Sequence, residues 1–283
     1  MNETNQNYQD LIRKMHAVSY SLLEEIDQYC KDNHILYFLS GGSCLGAIRH
    51  KGFIPWDDDI DIMLPRPDYE KFLIGFAGLN PKRYMVGSLY TDPEWKRPAS
   101  RIWDMRTVLT QTKYNERQMG VFIDVFPIDG LPANGIVRWI HYRKVRVLNF
   151  IRNCCIREGF YEEEKHVFLK KAFGSVFYGS DARKVAEKLD QAVKKYDFYK
   201  SKYVGAILAI HYWDRETIER KYMDREVRMP FENGEFPVPI GYEQYLRNLY
   251  GDYMKIPQDA AEKGYSHLEA WRVEINNEGG NEE

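Results

Sequence analysis

Long apolar runs are missing from this chain. None of its 283 residues lies in a stretch approaching the roughly 18–20 apolar positions that a membrane-spanning helix needs. The opening MNETNQNYQD has neither the basic nor the apolar region of a signal peptide, and the two absences together predict a cytoplasmic protein. Cysteine is scarce as well: Cys30, Cys44, Cys154 and Cys155 show no CxxC spacing and no zinc-ligand pattern. Four reduced thiols are expected, with Cys154 and Cys155 as two buried neighbours rather than a redox device. An excess of positive charge is also lacking, since 40 Lys and Arg face 42 Asp and Glu for a net charge of −2. A nucleic-acid partner is therefore not expected. There is no internal repeat and no low-complexity linker.

What is present is the composition of a globular domain, 44% hydrophobic and 29% charged, with an unusual 21 tyrosines. Such rings suit cleft walls that meet sugars or bases. Leu11, Met15, Val18, Leu22, Ile26 and Tyr29 recur at helical spacing and predict an amphipathic helix over 8–32. A short buried strand at 35–40 is broken by Gly41-Gly42, and a helix over 43–50 is stopped by Gly52. Strands are expected at 60–64, 84–90, 101–111 and 120–126, and helices at 68–76, 136–177, 181–196 and 242–250. Asn233-Gly234 predicts a tight hairpin within 226–239, and Gly251 a C′ position. The tail 278–283 is expected to be disordered.

The most informative stretch is Trp56-Asp57-Asp58-Asp59-Ile60-Asp61-Ile62-Met63-Leu64. On a strand Asp59 and Asp61 share one face, while Ile60, Ile62 and Leu64 share the other. Two adjacent carboxylates repel unless a cation lies between them, and oxygen ligands of this kind suit Mg2+ or Mn2+. A solvated acidic turn accounts for Asp57 and Asp58 but poorly for the alternation from Asp59 onward. An EF-hand is excluded, because Ile62 and Asp68 occupy its glycine and glutamate positions.

Ending sixteen residues before Asp59, Leu39-Ser40-Gly41-Gly42-Ser43 joins a strand to a helix start. Glycines there admit a phosphate to free backbone N–H groups, and Ser43 can cap the helix and donate to a phosphate oxygen. Gly41, Gly42 and Ser43 are thus candidate phosphate ligands. A plain strand-to-helix turn is the alternative for these residues taken alone. In Val121-Phe122-Ile123-Asp124-Val125-Phe126-Pro127 a lone carboxylate interrupts an apolar strand, which costs several kcal/mol unless it is paired or metal-bound. Asp124 is a candidate third metal ligand or proton acceptor, with a structural salt bridge as the alternative; Asp129 is a weaker candidate. Among the cations, Arg49 is favoured as a phosphate partner for its closeness to both motifs. Lys51, Lys96, Arg97 and Arg101 are further candidates, and His267 is a candidate base or phosphate ligand.

With these residues in view, the chain resembles the LicD family of phosphocholine transferases. The block from Leu39 through Arg49, Lys51 and Trp56 to Asp57-Asp58-Asp59-Ile60-Asp61-Ile62 is similar to that family's signature, with Cys44 where a leucine is usual. Asp124-Val125-Phe126-Pro127-Ile128-Asp129 resembles its second block. Phe236-Pro237-Val238-Pro239, Tyr250-Gly251-Asp252-Tyr253-Met254 and His267 resemble its closing blocks. The resemblance implies an α/β (α+β) nucleotidyltransferase-like fold, a mixed sheet flanked by helices and enlarged by a helical insertion. It would form a single catalytic domain over 1–277, with a core at about 8–130, the insertion at about 136–225, and a C-terminal hairpin and helix at 226–277. It also implies Mg2+ or Mn2+ on Asp59, Asp61 and Asp124, and CDP-choline as donor. The acceptor would be a sugar hydroxyl on a teichoic acid or other glycoconjugate, and CMP the leaving group. Related fukutin-like proteins transfer ribitol phosphate, so another CDP-linked polyol phosphate, or nucleotidyl transfer from an NTP, are the alternatives.

Residues 136–157 contain six cations, Arg138, Arg143, Lys144, Arg146, Arg152 and Arg157, and no acid. Mixed with Trp139, Ile140, Tyr142 and Phe150, they suit a helix lying on an anionic membrane, at the inner face of the cytoplasmic membrane where a lipid-linked acceptor would be met. The alternative is a helix that completes the core with a solvated basic face.

Overall fold

The computed structural model describes residues 3–111, 119–156, 176–177, 179–209, 212–257 and 271–275. His267, Arg157 and the tail 278–283 lie outside the described residues.

The N-terminal amphipathic pattern forms α1 (Glu3–Asp32), whose apolar stripe of Leu22, Leu23 and Ile26 is fully buried. It is followed by β1 (Phe38–Leu39), α2 (Gly41–Arg49), β2 (Ile60–Pro65) and α3 (Arg66–Phe76). Next come β3 (Tyr84–Gly87), β4 (Ser100–Asp104), β5 (Thr107–Gln111) and β6 (Phe122–Leu131). The strand expected over 101–111 is therefore two strands with a turn at Met105-Arg106. Asp104 fastens that turn by accepting from the Arg106 backbone N–H at 2.9 Å.

The main sheet runs β1-β2-β6-β4-β3, and β2 with β6 is its parallel pair. Helices flank this mixed sheet, as expected. Ile60 and Ile62 pair with Ile123 and Val125, and Ile102 stands opposite Ile123. These residues point into the main core, closed by Phe72, Phe76 and Tyr69 of α3. Alternate positions on the same strands face the other way and form the site described below.

The region expected to be a helical insertion is more mixed than that. It contains α4 (Gly135–Ile156) and α5 (Ala182–Val193), which pack together, but also β7 (Tyr203–Gly205) and β8 (Ile218–Glu219). β7 pairs with the far half of β6, Asp129 opposite Gly205, so this region extends the sheet. The hairpin is β9 (Glu226–Phe231) and β10 (Gly234–Pro239), followed by α6 (Tyr242–Tyr250) with Gly251 at φ +72°. Its turn is Glu232-Asn233 rather than Asn233-Gly234, because Phe231 pairs with Gly234 and the positive φ of 54° falls on Glu232. Long-range contacts decide that register. The Glu232 N–H donates to the Lys51 carbonyl at 2.8 Å, and its carboxylate accepts from the Phe53 N–H at 2.9 Å. A strand that the sequence pattern did not suggest, β11 (Trp271–Ile275), pairs antiparallel with β5.

All four cysteines are free and buried. No helix among the described residues is long and apolar enough to cross a membrane.

Asp129 is not part of the acidic site. It is fully buried in a two-pronged ion pair with Arg66, at 2.7 and 2.6 Å. The third guanidinium nitrogen donates to Asp190 of α5 at 2.8 Å. The cluster fastens α3, β6 and α5 together.

Candidate active site

Strand alternation builds the centre of the site. Asp61 on β2 stands directly opposite Asp124 on β6, and Arg101 on β4 stands directly opposite Asp124 on its other side. Three neighbouring strands thus present carboxylate, carboxylate and guanidinium in one row. Asp59 lies just before β2, and oxygens of Asp59, Asp61 and Asp124 fall within 4.8 Å of one another. Asp57, Asp58 and Asp59 form a second such group. Burial, then repulsion from Asp61, Asp57 and Asp58, holds the Asp59 carboxyl well above its ordinary range. Asp61 is raised in the same way by burial and by Asp124, with Arg101 opposing. Half-buried carboxylates at this spacing favour a bound cation, and an all-oxygen donor set is that of a hard divalent ion. The residues fit Mg2+ or Mn2+.

The glycine turn is stitched to the same strand. The Asp61 carbonyl accepts from the Ser40 N–H at 2.9 Å, and the Asp61 N–H donates to the Ser43 hydroxyl at 2.8 Å. Ser43 lies inside α2 rather than capping it, because the helix begins at Gly41. Ser40 holds the N-cap position, and its side chain makes no capping bond. Gly41 takes φ +47°, a conformation that a residue with a Cβ adopts at a cost. A Cβ on Gly42 would lie 2.7 Å from an Asp57 oxygen, so the acidic loop rests on the helix start. On the other side of the turn, Tyr245 of α6 accepts from the Gly41 N–H and bonds the Ser40 hydroxyl, both at 3.2 Å. His16 of α1 holds the acidic loop, its Nε2 donating to the Asp57 carbonyl at 2.7 Å.

Asp124 accepts two bonds from Arg101, at 2.6 and 3.0 Å, and the same guanidinium lies 3.9 Å from the Phe122 ring centre. Both readings of Asp124 are therefore present in one residue: it is ion-paired, and it belongs to the carboxylate cluster.

Beside this row opens a cavity of about 230 Å3, reached by Ser40, Gly41, Asp61, Arg101 and Asp124. Arg97 lines it too, from the basic loop before β4. Arg49 and Lys51 are not among its lining residues. Arg49 sits at the opposite end of α2 and donates to the Tyr253 carbonyl at 2.9 Å. Lys51 is exposed at φ +62°, in the turn fastened to the hairpin tip.

Several lining residues carry no local sequence signal. Phe126 follows Asp124 by two along β6 and so shares its face. Arg152 comes from the inner face of α4, and Leu208, Ala209, Tyr212 and Glu216 come from the segment after β7. Glu216 is 1% exposed, and neither of its oxygens has a hydrogen-bond partner of good geometry. Burial, then the Asp61 charge, pushes its carboxyl up to about 8, opposed only by an approach of the Tyr245 hydroxyl. The backbone around it is fixed. The Glu216 carbonyl lies 2.6 Å from where a Cβ of Gly205 would be, Arg215 donates to the Leu249 carbonyl, and the Thr217 carbonyl accepts from Asn248.

The chain matches known proteins over this same architecture. The LicD/FKTN/FKRP nucleotidyltransferase domain matches residues 34–153, which hold the glycine turn, Asp59, Asp61, Arg101 and Asp124. Over 262 residues the chain is 29% identical to the lipopolysaccharide cholinephosphotransferase LicD of Haemophilus influenzae, spanning 92% of this chain and 97% of that protein. Uncharacterized proteins of Rickettsia prowazekii and Rickettsia typhi are 41% identical over 49 residues, 17% of this chain. The LicD/FKTN/FKRP domain match thus covers the acidic strand pair, and the similarity to the Haemophilus protein runs along nearly the whole chain.

Proposed function

We propose that this chain is a LicD-family transferase that moves phosphocholine from CDP-choline to a sugar hydroxyl of a teichoic acid or other cell-surface glycoconjugate precursor, releasing CMP. The observation that carries the reading is the row Asp61–Asp124–Arg101 with Asp59 beside it, set against a glycine turn at a helix start. Asp59, Asp61 and Asp124 would hold Mg2+ or Mn2+, which supplies charge stabilisation for the diphosphate and for the departing CMP. Gly41 lets the donor phosphates approach the start of α2 from the cavity, where the helix dipole favours an anion. Arg97 and Arg101 add positive charge on the cavity's other wall. The acceptor oxygen attacks the distal phosphorus as the bond to CMP breaks, and Asp124 takes the acceptor proton. Work of this kind is positioning and charge stabilisation.

The test is a donor panel in which the label sits either on the nucleoside or on the head group. With Mg2+ present, head-group label from CDP-choline should reach the acceptor, and EDTA should stop it. CDP-ribitol or CDP-glycerol as the better donor would change the head group while keeping the machinery. Nucleoside label from an NTP reaching the acceptor would overturn the reading in favour of nucleotidyl transfer.

The proposed place of action rests on α4. Its inner face, including Tyr142, Val145 and Arg152, is buried and packs with Leu189 and Val193 of α5. Its outer face leaves Ile136, Trp139, Ile140 and Val147 more than half exposed beside Arg143, Lys144 and Arg146. Core packing takes the inner face of the helix, and the outer face is the one open to membrane docking. The outer face would dock the enzyme on anionic lipid, next to a lipid-linked acceptor. Replacing Arg143, Lys144 and Arg146 by Gln should weaken co-sedimentation with anionic vesicles by about 100-fold, at about 1 kcal/mol per cation. Wild-type protein that stays in the supernatant with such vesicles at low salt would rule the docking out.

A further inference from the structure

Glu216 is the one buried carboxylate of the cavity that the carboxylate cluster does not use. It reaches the cavity wall from outside the family-matched span of 34–153, on a 3-10 turn over Trp213–Glu216. Its surroundings on that wall are Tyr212, Leu208 and Ala209, with Phe126 among the other lining residues. Arg97, Arg101 and Arg152 line the same cavity, but the two Glu216 oxygens have no good hydrogen-bond partner, and a carboxyl buried in this way ionises only when something at its own side answers the charge. Divalent ions are poor candidates for that partner. They demand several oxygen ligands, and Glu216 does not belong to either group of carboxylates close enough to share one. Leu208, Ala209 and Phe126 offer a polyol no side-chain hydrogen bond. The matching partner is a weakly hydrated organic cation, whose surface is apolar and whose charge is spread. Aromatic faces and a carboxylate without directed bonds are the groups that recognise such a cation.

We infer that Glu216, with Tyr212 and Phe126, forms the head-group subsite of the donor and selects a quaternary ammonium group. The inference rests on the CDP-choline reading and deepens it by naming which side chains read the choline. The phosphate end of the donor lies at Gly41, Asp61 and Asp124, and the head group extends across the cavity to Glu216. Glu216 and Tyr212 then carry choline specificity from outside the family-matched span, with Phe126 contributed by β6 within it. A relative with the same core and a different wall would take a different head group.

Titration calorimetry with Mg2+ separates the possibilities, using CDP-choline and CDP-glycerol, which carry the same diphosphate and differ in the head group. Wild-type protein should bind CDP-choline about tenfold or more tightly than CDP-glycerol. Glu216→Gln should erase that preference and leave CDP-glycerol affinity unchanged. The variant should fold, because the amide is nearly isosteric with a carboxyl that burial already disfavours in its charged form. Phe126→Leu gives a second route to the same loss without touching the carboxylate. If wild-type protein shows no preference for CDP-choline, the donor reading itself falls and takes the subsite with it. If the preference is present and survives both substitutions, the donor reading stands and the subsite is wrong. Equal weakening toward both donors would show that Glu216 supports the cavity instead of reading the head group, and would also overturn the inference.

Discussion

Asp61→Asn should lower turnover by roughly 10³-fold or more at saturating Mg2+, while the protein melts at the same temperature or higher in the absence of metal. On the proposed metal assignment the loss follows from removing one of three oxygen ligands, where a bound metal would supply several kcal/mol of charge stabilisation and each 1.4 kcal/mol is a factor of ten. The stability gain follows from the native state itself: burial and Asp124 raise the Asp61 carboxyl, so its charged form is disfavoured in the fold without a cation. Asp59→Asn should behave alike, for the same reasons. Asp124→Asn should differ in one respect. It leaves the Arg101 guanidinium without the carboxylate that accepts two of its hydrogen bonds. That variant should therefore lose stability as well as at least about 10²-fold in turnover. Steady-state kinetics beside thermal denaturation distinguishes the cases. Near-wild-type turnover in both Asp59→Asn and Asp61→Asn would remove the metal assignment, and an Asp124→Asn that melts early but turns over normally when cold would leave Asp124 a structural role only.

The parts of this site that were legible in the sequence are those written in a short span. The alternation of Asp59 and Asp61 with Ile60 and Ile62 is a property of strand geometry, and β2 realises it next to β6. Asp124 was legible because a charge among Val121, Phe122, Ile123 and Val125 requires an explanation. What could not be read is what the chain assembles from afar. Glu216, Tyr212 and Arg152 reach the cavity from segments whose local patterns say nothing about it. Nearness in sequence misled for Arg49: α2 is nine residues long, and at 1.5 Å per residue it carries Arg49 about 12 Å from the glycine turn. Arg101, distant in sequence, sits opposite Asp124 because β4 pairs with β6. The hairpin turn was read from Asn233-Gly234, yet the bonds of Glu232 to Lys51 and Phe53 fix a register one residue earlier. Local turn preference, worth a fraction of a kcal/mol, yields to two such bonds.

The second large effect concerns stability alone. Arg66→Met should cost about 3–5 kcal/mol, the range for breaking a buried ion pair by removing one partner. Arg66 is 8% exposed, Asp129 fully buried and Asp190 5% exposed, so the substitution strands two carboxylates away from water. Three bonds of 2.6–2.8 Å are lost at once, and the 3.3 Å bond to the Tyr90 hydroxyl with them. Lys194 approaches Asp190 at 3.5 Å and can compensate that partner in part, which leaves Asp129 as the main source of the cost. For a chain of this size the loss corresponds to a fall in Tm of roughly 6–15 °C. The cluster joins α3, β6 and α5 behind the sheet and does not line the cavity, so turnover measured well below the new Tm should stay near the wild-type value. The triple variant Arg66→Met, Asp129→Leu, Asp190→Leu should recover most of the lost stability, since replacing an entire buried ion network by apolar groups is often neutral or favourable. Thermal and urea denaturation of the single and triple variants decides the matter. A single variant within 1 kcal/mol of wild type would show that the network holds nothing together. A triple variant less stable than the single one would show that the buried charges fix the packing of these three elements, beyond answering one another.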